Sequence, residues 1–115
     1  MWLIVYSRKD AKVFSSAPGV TSQILITGER MMMLLIDLEP GSAVPPHSHP
    51  HEQIGICLKG RVEFTGEDKT VVVEPDMVYF MRSNEKHGAK VVSKEGATIL
   101  EVFSPPREDF LARVK

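Results

Sequence analysis

The sequence predicts an all-β fold, a single domain built as a closed or doubly layered antiparallel sheet. Short runs of β-branched, aliphatic and aromatic residues succeed one another along the chain, each about one strand long. Turn-forming residues separate them at regular intervals, and no long segment keeps the period of an amphipathic helix.

In chain order, residues 2–6 read as a first strand and residues 9–14 as a turn of helix. Strands follow at 23–27, 31–38, 54–59, 61–64, 70–73, 77–81, 90–93 and 97–103. Thr27-Gly28-Glu29, Glu39-Pro40-Gly41, Lys59-Gly60, Thr65-Gly66-Glu67-Asp68, Glu74-Pro75-Asp76 and Glu95-Gly96 supply the turns. A last helical turn is expected over 107–113, with Ser104 and two prolines before it. Acidic Glu108 and Asp109 sit in its first turn and Arg113 near its end, as the helix dipole favours.

Composition bounds what such a domain can do. At 115 residues and 43% hydrophobic, the chain suits one core and one domain, residues 1–115. Its 14 basic and 15 acidic side chains nearly cancel and form no basic run, which argues against nucleic acid and anionic membranes as partners. The expected partners are a small molecule and a second copy of the chain. The apolar stretch 2–6 has no basic segment before it and is too short for a signal-peptide core, and nothing reaches transmembrane length. A single cysteine, Cys57, excludes an internal disulfide framework. It is expected in the core, and the reading as a whole places the protein in the cytoplasm.

The chemistry concentrates between Gly41 and Gly60. His47 and His49 stand two apart, so on an extended strand both imidazoles leave the same face and can chelate one ion. Gln53 and, after further strands, His87 are additional candidate ligands. The spacing Gly41, five residues, His47-x-His49, three residues, Gln53, six residues, Gly60 resembles the first motif of the cupin family. The family's second motif, Gly, five residues, Pro-x-Gly, two residues, His, aligns on His87 and puts Asp76, Arg82 and Asn84 at the Gly, Pro and Gly positions. Asn84 tolerates the left-handed backbone that a turn glycine supplies, and Asp76 is the weaker substitute.

The resemblance implies a cupin jelly-roll barrel with its metal-binding core at about residues 30–104, and the dimers common in that family. Glu52 and His51 crowd the same site, and carboxylate is the commoner ligand type. Register favours Gln53, as in small cupins reading His-Pro-x-Glu-Gln, and leaves His51 as an exposed turn residue. A set of three imidazoles and an amide adds no negative charge and suits one divalent transition metal: nickel, iron, manganese, cobalt or zinc.

Strand parity orients the rest. If Gln53 faces inward, so do Gly55 and Cys57, while Ile54, Ile56 and Leu58 face out and need cover, expected from a second subunit. The methionine run 31–33 reads as core packing. On the last strand Ile99, Glu101 and Phe103 share a face, which would carry a carboxylate into the barrel. Beyond it, Pro105 and Pro106 stiffen the exit and could aim Arg107 over the mouth.

The segment from Glu101 to Phe110 resembles the closing segment of the pectin-degradation cupins, which linearise 4,5-unsaturated uronates into the open-chain keto acid. That family has aspartate where this chain has Glu101, one methylene longer. The resemblance implies Glu101 as proton shuttle, Arg107 as clamp on the carboxylate of an acidic sugar, and Phe103 as a wall for the sugar ring. The other readings are a different cupin enzyme on the same site, a dioxygenase or a sugar isomerase, or a non-catalytic small-molecule-binding cupin. For Glu101 and Arg107 the alternative is a structural ion pair at the barrel rim.

Overall fold

Strands whose side chains alternate between apolar and polar bury one face each, and here two antiparallel sheets turn those faces toward each other. The protein's structure, a computed structural model, describes residues 2–115. Strands β1 (Lys12–Ala17), β2 (Val20–Thr27), β3 (Met32–Leu38), β10 (Ala97–Ser104), β5 (Glu52–Lys59) and β8 (Val78–Met81) form a six-stranded sheet in that spatial order. Strands β4 (Ala43–His47), β9 (His87–Val91), β6 (Val62–Thr65) and β7 (Thr70–Val73) form the facing four-stranded sheet. Helix α1 (Glu108–Ala112) follows β10.

The core occupies the space between the sheets. Phe14, Ile24, Leu34, Ile36 and Ile99 enter it from the larger sheet, and Val62, Phe64 and Val91 from the smaller. Burying an aliphatic or phenyl side chain of this size contributes about 1.5–3 kcal/mol, so this half of the interior carries the fold. Cys57 is fully buried in it.

Strands fall near where the sequence predicts them, with β9 beginning at His87 where residue 90 was expected, except at three places. Residues 2–6, expected as a strand, form no regular structure and stay exposed. An apolar β-prone run has no sheet to join unless an edge is offered to it. Residues 9–14, expected as a helical turn, instead end a 3-10 turn (Arg8–Asp10) and enter β1. The Pro18-Gly19 turn, with Gly19 at φ 75°, folds β1 back onto β2 and buries Phe14. Strand β4 was not anticipated because Pro45 and Pro46 lie within it. Its pairing with β9 is correspondingly broken, resting on Ala43, Val44 and His47 with a register shift between the last two.

Both substituted glycine positions of the second motif take the left-handed backbone, Asp76 at φ 74° and Asn84 at φ 65°, so aspartate meets the demand as asparagine does. No helix among the described residues is long and apolar enough to cross a membrane.

Candidate metal centre

His47 ends β4 and His87 opens β9, and the two are directly paired across the strands, with ring centroids 4.6 Å apart. His49 lies just past β4, on a loop fixed by the Asn84 backbone N–H donating to the His49 carbonyl at 2.8 Å. One ring nitrogen from each of the three histidines lies within 4.8 Å of the others.

The backbone decides which nitrogen each ring presents. Nδ1 of His47 bonds the Pro45 carbonyl at 2.9 Å, that of His49 the His51 carbonyl at 3.1 Å, and that of His87 the Glu85 carbonyl at 2.9 Å. A carbonyl only accepts, so Nδ1 carries the proton in each ring and the Nε2 lone pair is free. Burial, reinforced by Arg107 and the neighbouring rings, lowers the His49 pKa to about 4, and burial also lowers that of His87. His49 is therefore a neutral ligand at pH 7.

Gln53 reaches the cluster from the opposite sheet. Its amide nitrogen donates to Glu101 Oε2 at 2.8 Å, which turns its oxygen toward His49 Nε2 at 3.2 Å. Two lone-pair-bearing atoms face each other there with no proton between them. A cation is what makes that contact favourable, so the residues present fit a divalent ion bound by three imidazoles and one amide oxygen.

Behind the histidines Glu101 is buried at 4% exposure, accepting from Gln53 and from the Tyr79 hydroxyl at 2.5 Å. Burial pushes the Glu101 pKa up, and the two donated hydrogen bonds and Arg107 oppose that rise. Burial beside the Glu101 charge likewise pushes the Tyr79 phenol up, so Tyr79 stays protonated as the donor. Gly55 on β5 makes this pair possible, since it stands between Glu101 on β10 and Tyr79 on β8. A methyl group there would collide with the Tyr79 ring and hydroxyl.

Phe103 is buried beside His49, with centroids 5.7 Å apart. Arg107 is buried as well, with its guanidinium 3.9 Å from the Phe110 ring centre and 5.1 Å from that of Phe103. Its ion pair is with Asp109, made through Nε at 3.0 Å and a terminal nitrogen at 2.8 Å, and not with Glu101. The rim pair considered from the sequence is therefore corrected: the two residues belong to separate networks. The Arg107 hydrogen bonds hold the Asp109 pKa below its usual value.

His51 also departs from expectation. It is half-buried, its ring edge rests on Phe103 at 6.5 Å, and its Nδ1 is buried without a hydrogen-bond partner among the described residues.

Sequence reasoning missed Tyr79 and Asp109. The first was signalled by a glycine inside a strand, the second by an acid two residues from the arginine. His47, His87, Gln53, Glu101, Phe103, Arg107 and Asp109 line one cavity of about 500 Å³, large enough for a small polar ligand.

Comparison with known proteins agrees with this geometry. The cupin-domain family profile matches residues 34–103. The pectin degradation protein KdgF of Dickeya dadantii is 31% identical over 94 residues, covering 81% of this chain and 84% of that protein. The H2HPP isomerase of Bacillus subtilis is 36% identical over 67 residues, 58% of this chain and 28% of that protein. The structure of KdgF from Halomonas sp. superposes with a TM-score of 0.83 at 23% identity, over 91% of this chain and 97% of that one, and shows the same fold.

Proposed function

This chain belongs to the cupin family, and from that premise we propose that it is a metal-dependent enzyme that linearises 4,5-unsaturated uronate monomers released in pectin or alginate breakdown. One observation carries the reading: a buried carboxyl, Glu101, held by Tyr79 and Gln53, shares its cavity with a buried arginine and with His47 and His87, two of three convergent imidazoles.

His47, His49, His87 and Gln53 hold the ion. When bound, a divalent metal would supply Lewis acidity to the substrate oxygens it touches. Arg107 takes the substrate carboxylate, stiffened for that purpose by Phe103, Phe110 and Asp109. Phe103 gives the ring an apolar wall and excludes water from beside His49.

The reaction is an isomerisation that consumes no water, oxidant or reductant. The anomeric hydroxyl loses its proton, the bond from C1 to the ring oxygen breaks, and C1 becomes an aldehyde while C5 becomes an enol. A proton delivered to C4 then converts the enol to a ketone. Glu101 is the group that moves this proton. Burial favours the protonated carboxyl, and the Tyr79 hydroxyl and Gln53 amide stabilise the carboxylate once the proton has left.

A second reading, another isomerase built on the same site, is supported by the partial match to the isomerase of Bacillus subtilis. Cys57, buried and free, fits a reducing compartment, and we place the enzyme in the cytoplasm.

The test is to incubate metal-reconstituted protein with unsaturated galacturonate and follow loss of its conjugated ultraviolet absorbance against the spontaneous rate and a chelated control. Metal-dependent acceleration is expected. A rate equal to the spontaneous one with every metal tried would sink the uronate reading and leave the other isomerase.

A further inference from the structure

The cavity that holds Glu101, His47 and Arg107 has a second polar end. It runs past Ile99 and Ile36 to Ser16 on β1 and Ser22 on β2. We propose that these two hydroxyls form a binding pole that selects a ligand carrying hydroxyl groups on a ring, an inference that rests on the uronate reading only for the identity of that ring.

Ser22 stands where β2 otherwise turns aliphatic side chains inward. Val20, Ser22 and Ile24 alternate toward the core, and Ser22 is 1% exposed. Its Oγ lies 3.2 Å from Ser16 Oγ, and neither side chain bonds another group among the described residues. Two hydroxyls carry two protons, and one of them fills the bond between the pair. The other has no acceptor, and Val20, Ile36 and Leu38, which line that end of the cavity, supply none. Burying such a group unmet costs stability, whereas alanine at both positions would avoid the cost. The unused proton is therefore offered to whatever fills the cavity.

A sugar hydroxyl is the group that complements this pole. It accepts the unused proton and returns its own to a free lone pair, whereas a carboxylate only accepts and an ammonium only donates. Arg113, which also lines the cavity, is exposed and donates to the Ser15 carbonyl at 2.6 Å, and neither serine bonds a charged group. An ion brought against buried Ser22 would lose its water with no opposite charge bonded there, so the pole takes a neutral group.

Strand register sets the distance between the two ends. Ser22 pairs with Ile36, and Ile36 with Ile99, two residues before Glu101. Two strand spacings across and two residues along place the Ser22 and Glu101 Cα atoms about 12 Å apart. Both side chains stand on the inner face, and one hydrogen bond of about 2.8 Å at each end leaves about 6 Å for the ligand. A monosaccharide bridges that gap, with its carboxylate at Arg107 and a hydroxyl from the far side of the ring at the serines. A two-carbon acid does not reach.

The experiment is calorimetric titration of the metal-reconstituted protein with two ligands. Galacturonate keeps the carboxylate and the ring hydroxyls but lacks the double bond that the reaction uses; cyclohexanecarboxylate keeps the carboxylate on a ring without hydroxyls. Ser16→Ala with Ser22→Ala should weaken galacturonate binding about tenfold and leave cyclohexanecarboxylate binding unchanged or tighter. The thermal midpoint of the ligand-free protein should stay where it is or rise, which a purely structural serine pair would not allow. Ser16→Ala alone, at the partly exposed member, should shift selectivity the same way and serves if the double variant does not fold. A wild type that does not bind galacturonate, equal weakening of both ligands, unchanged galacturonate affinity, or a midpoint lowered by more than about 4 °C would each overturn the proposal. The absorbance assay separates this from the reaction: turnover with unchanged affinity in the variants removes the pole and keeps the uronate reading. No turnover with a galacturonate-selective loss removes the reaction and keeps the pole.

Discussion

Strands β5 and β8 are inverted relative to β2 and β3. On β2 and β3 the residues turned inward are largely aliphatic, such as Ile24, Leu34 and Ile36. On β5 and β8 they include Gln53 and Tyr79, while Ile54, Val78 and Phe80 point outward. The difference shows how a small barrel divides its labour. One half of the interior supplies the hydrophobic burial that holds the sheets together. The other half is released to carry polar groups, and its apolar residues are displaced to the outside, where only another surface can bury them.

Five variants bear on that comparison. Glu101→Gln keeps the size of the side chain but removes its titrating proton, and should lower uronate turnover by about 10²–10⁴-fold while leaving metal bound. Unchanged turnover would reduce the inner polar face to architecture. His47→Ala with His87→Ala should weaken divalent-metal binding by more than about 10²-fold in a calorimetric titration, since ligand loss should exceed the 10–100-fold effect of losing a ligand's hydrogen-bond partner. Retained affinity would place the ion elsewhere.

Gly55→Ala should destabilise the fold by about 1–3 kcal/mol in denaturant titration, because the added methyl meets the Tyr79 ring on the inner face. Asp109→Asn loses one ion pair at a partly exposed position and should cost at most about 1 kcal/mol at neutral pH. Its folded pKa is depressed below 3.8 by Arg107, so the contribution is complete above that value and vanishes as pH falls through the folded pKa. Wild type and variant should converge in stability there. Val78→Thr, on the outer face, should change the stability of the dilute single copy by no more than about 0.5 kcal/mol, and a larger loss would mean that this face is already packed within one chain.

What could be read from the sequence was what depends on neighbouring residues. His47 and His49 share a face because they are two apart, and the inward turn of Ile99, Glu101 and Phe103 follows from the same alternation. His87 opening a strand follows from the motif spacing. What escaped depends on register between strands distant in sequence. Tyr79 meets Glu101 only because β8 and β10 flank Gly55 of β5, and no local pattern states that pairing. Arg107 was legible as a residue aimed inward, but its choice of Asp109 over Glu101 is set by the turn into α1. Residues 2–6 erred the other way: their propensity for a strand is genuine, and no strand of either sheet pairs with them.

The histidine tautomers rest on the main chain. Each Nδ1 proton goes to a carbonyl two residues away, at Pro45, His51 and Glu85. A side-chain acceptor can be deleted by mutation; a backbone carbonyl is present whatever residue occupies the position. The orientation of the rings is thereby insulated from drift in the residues around them. An exchange of the partner of Arg107 would leave all three rings presenting the same nitrogens to one another.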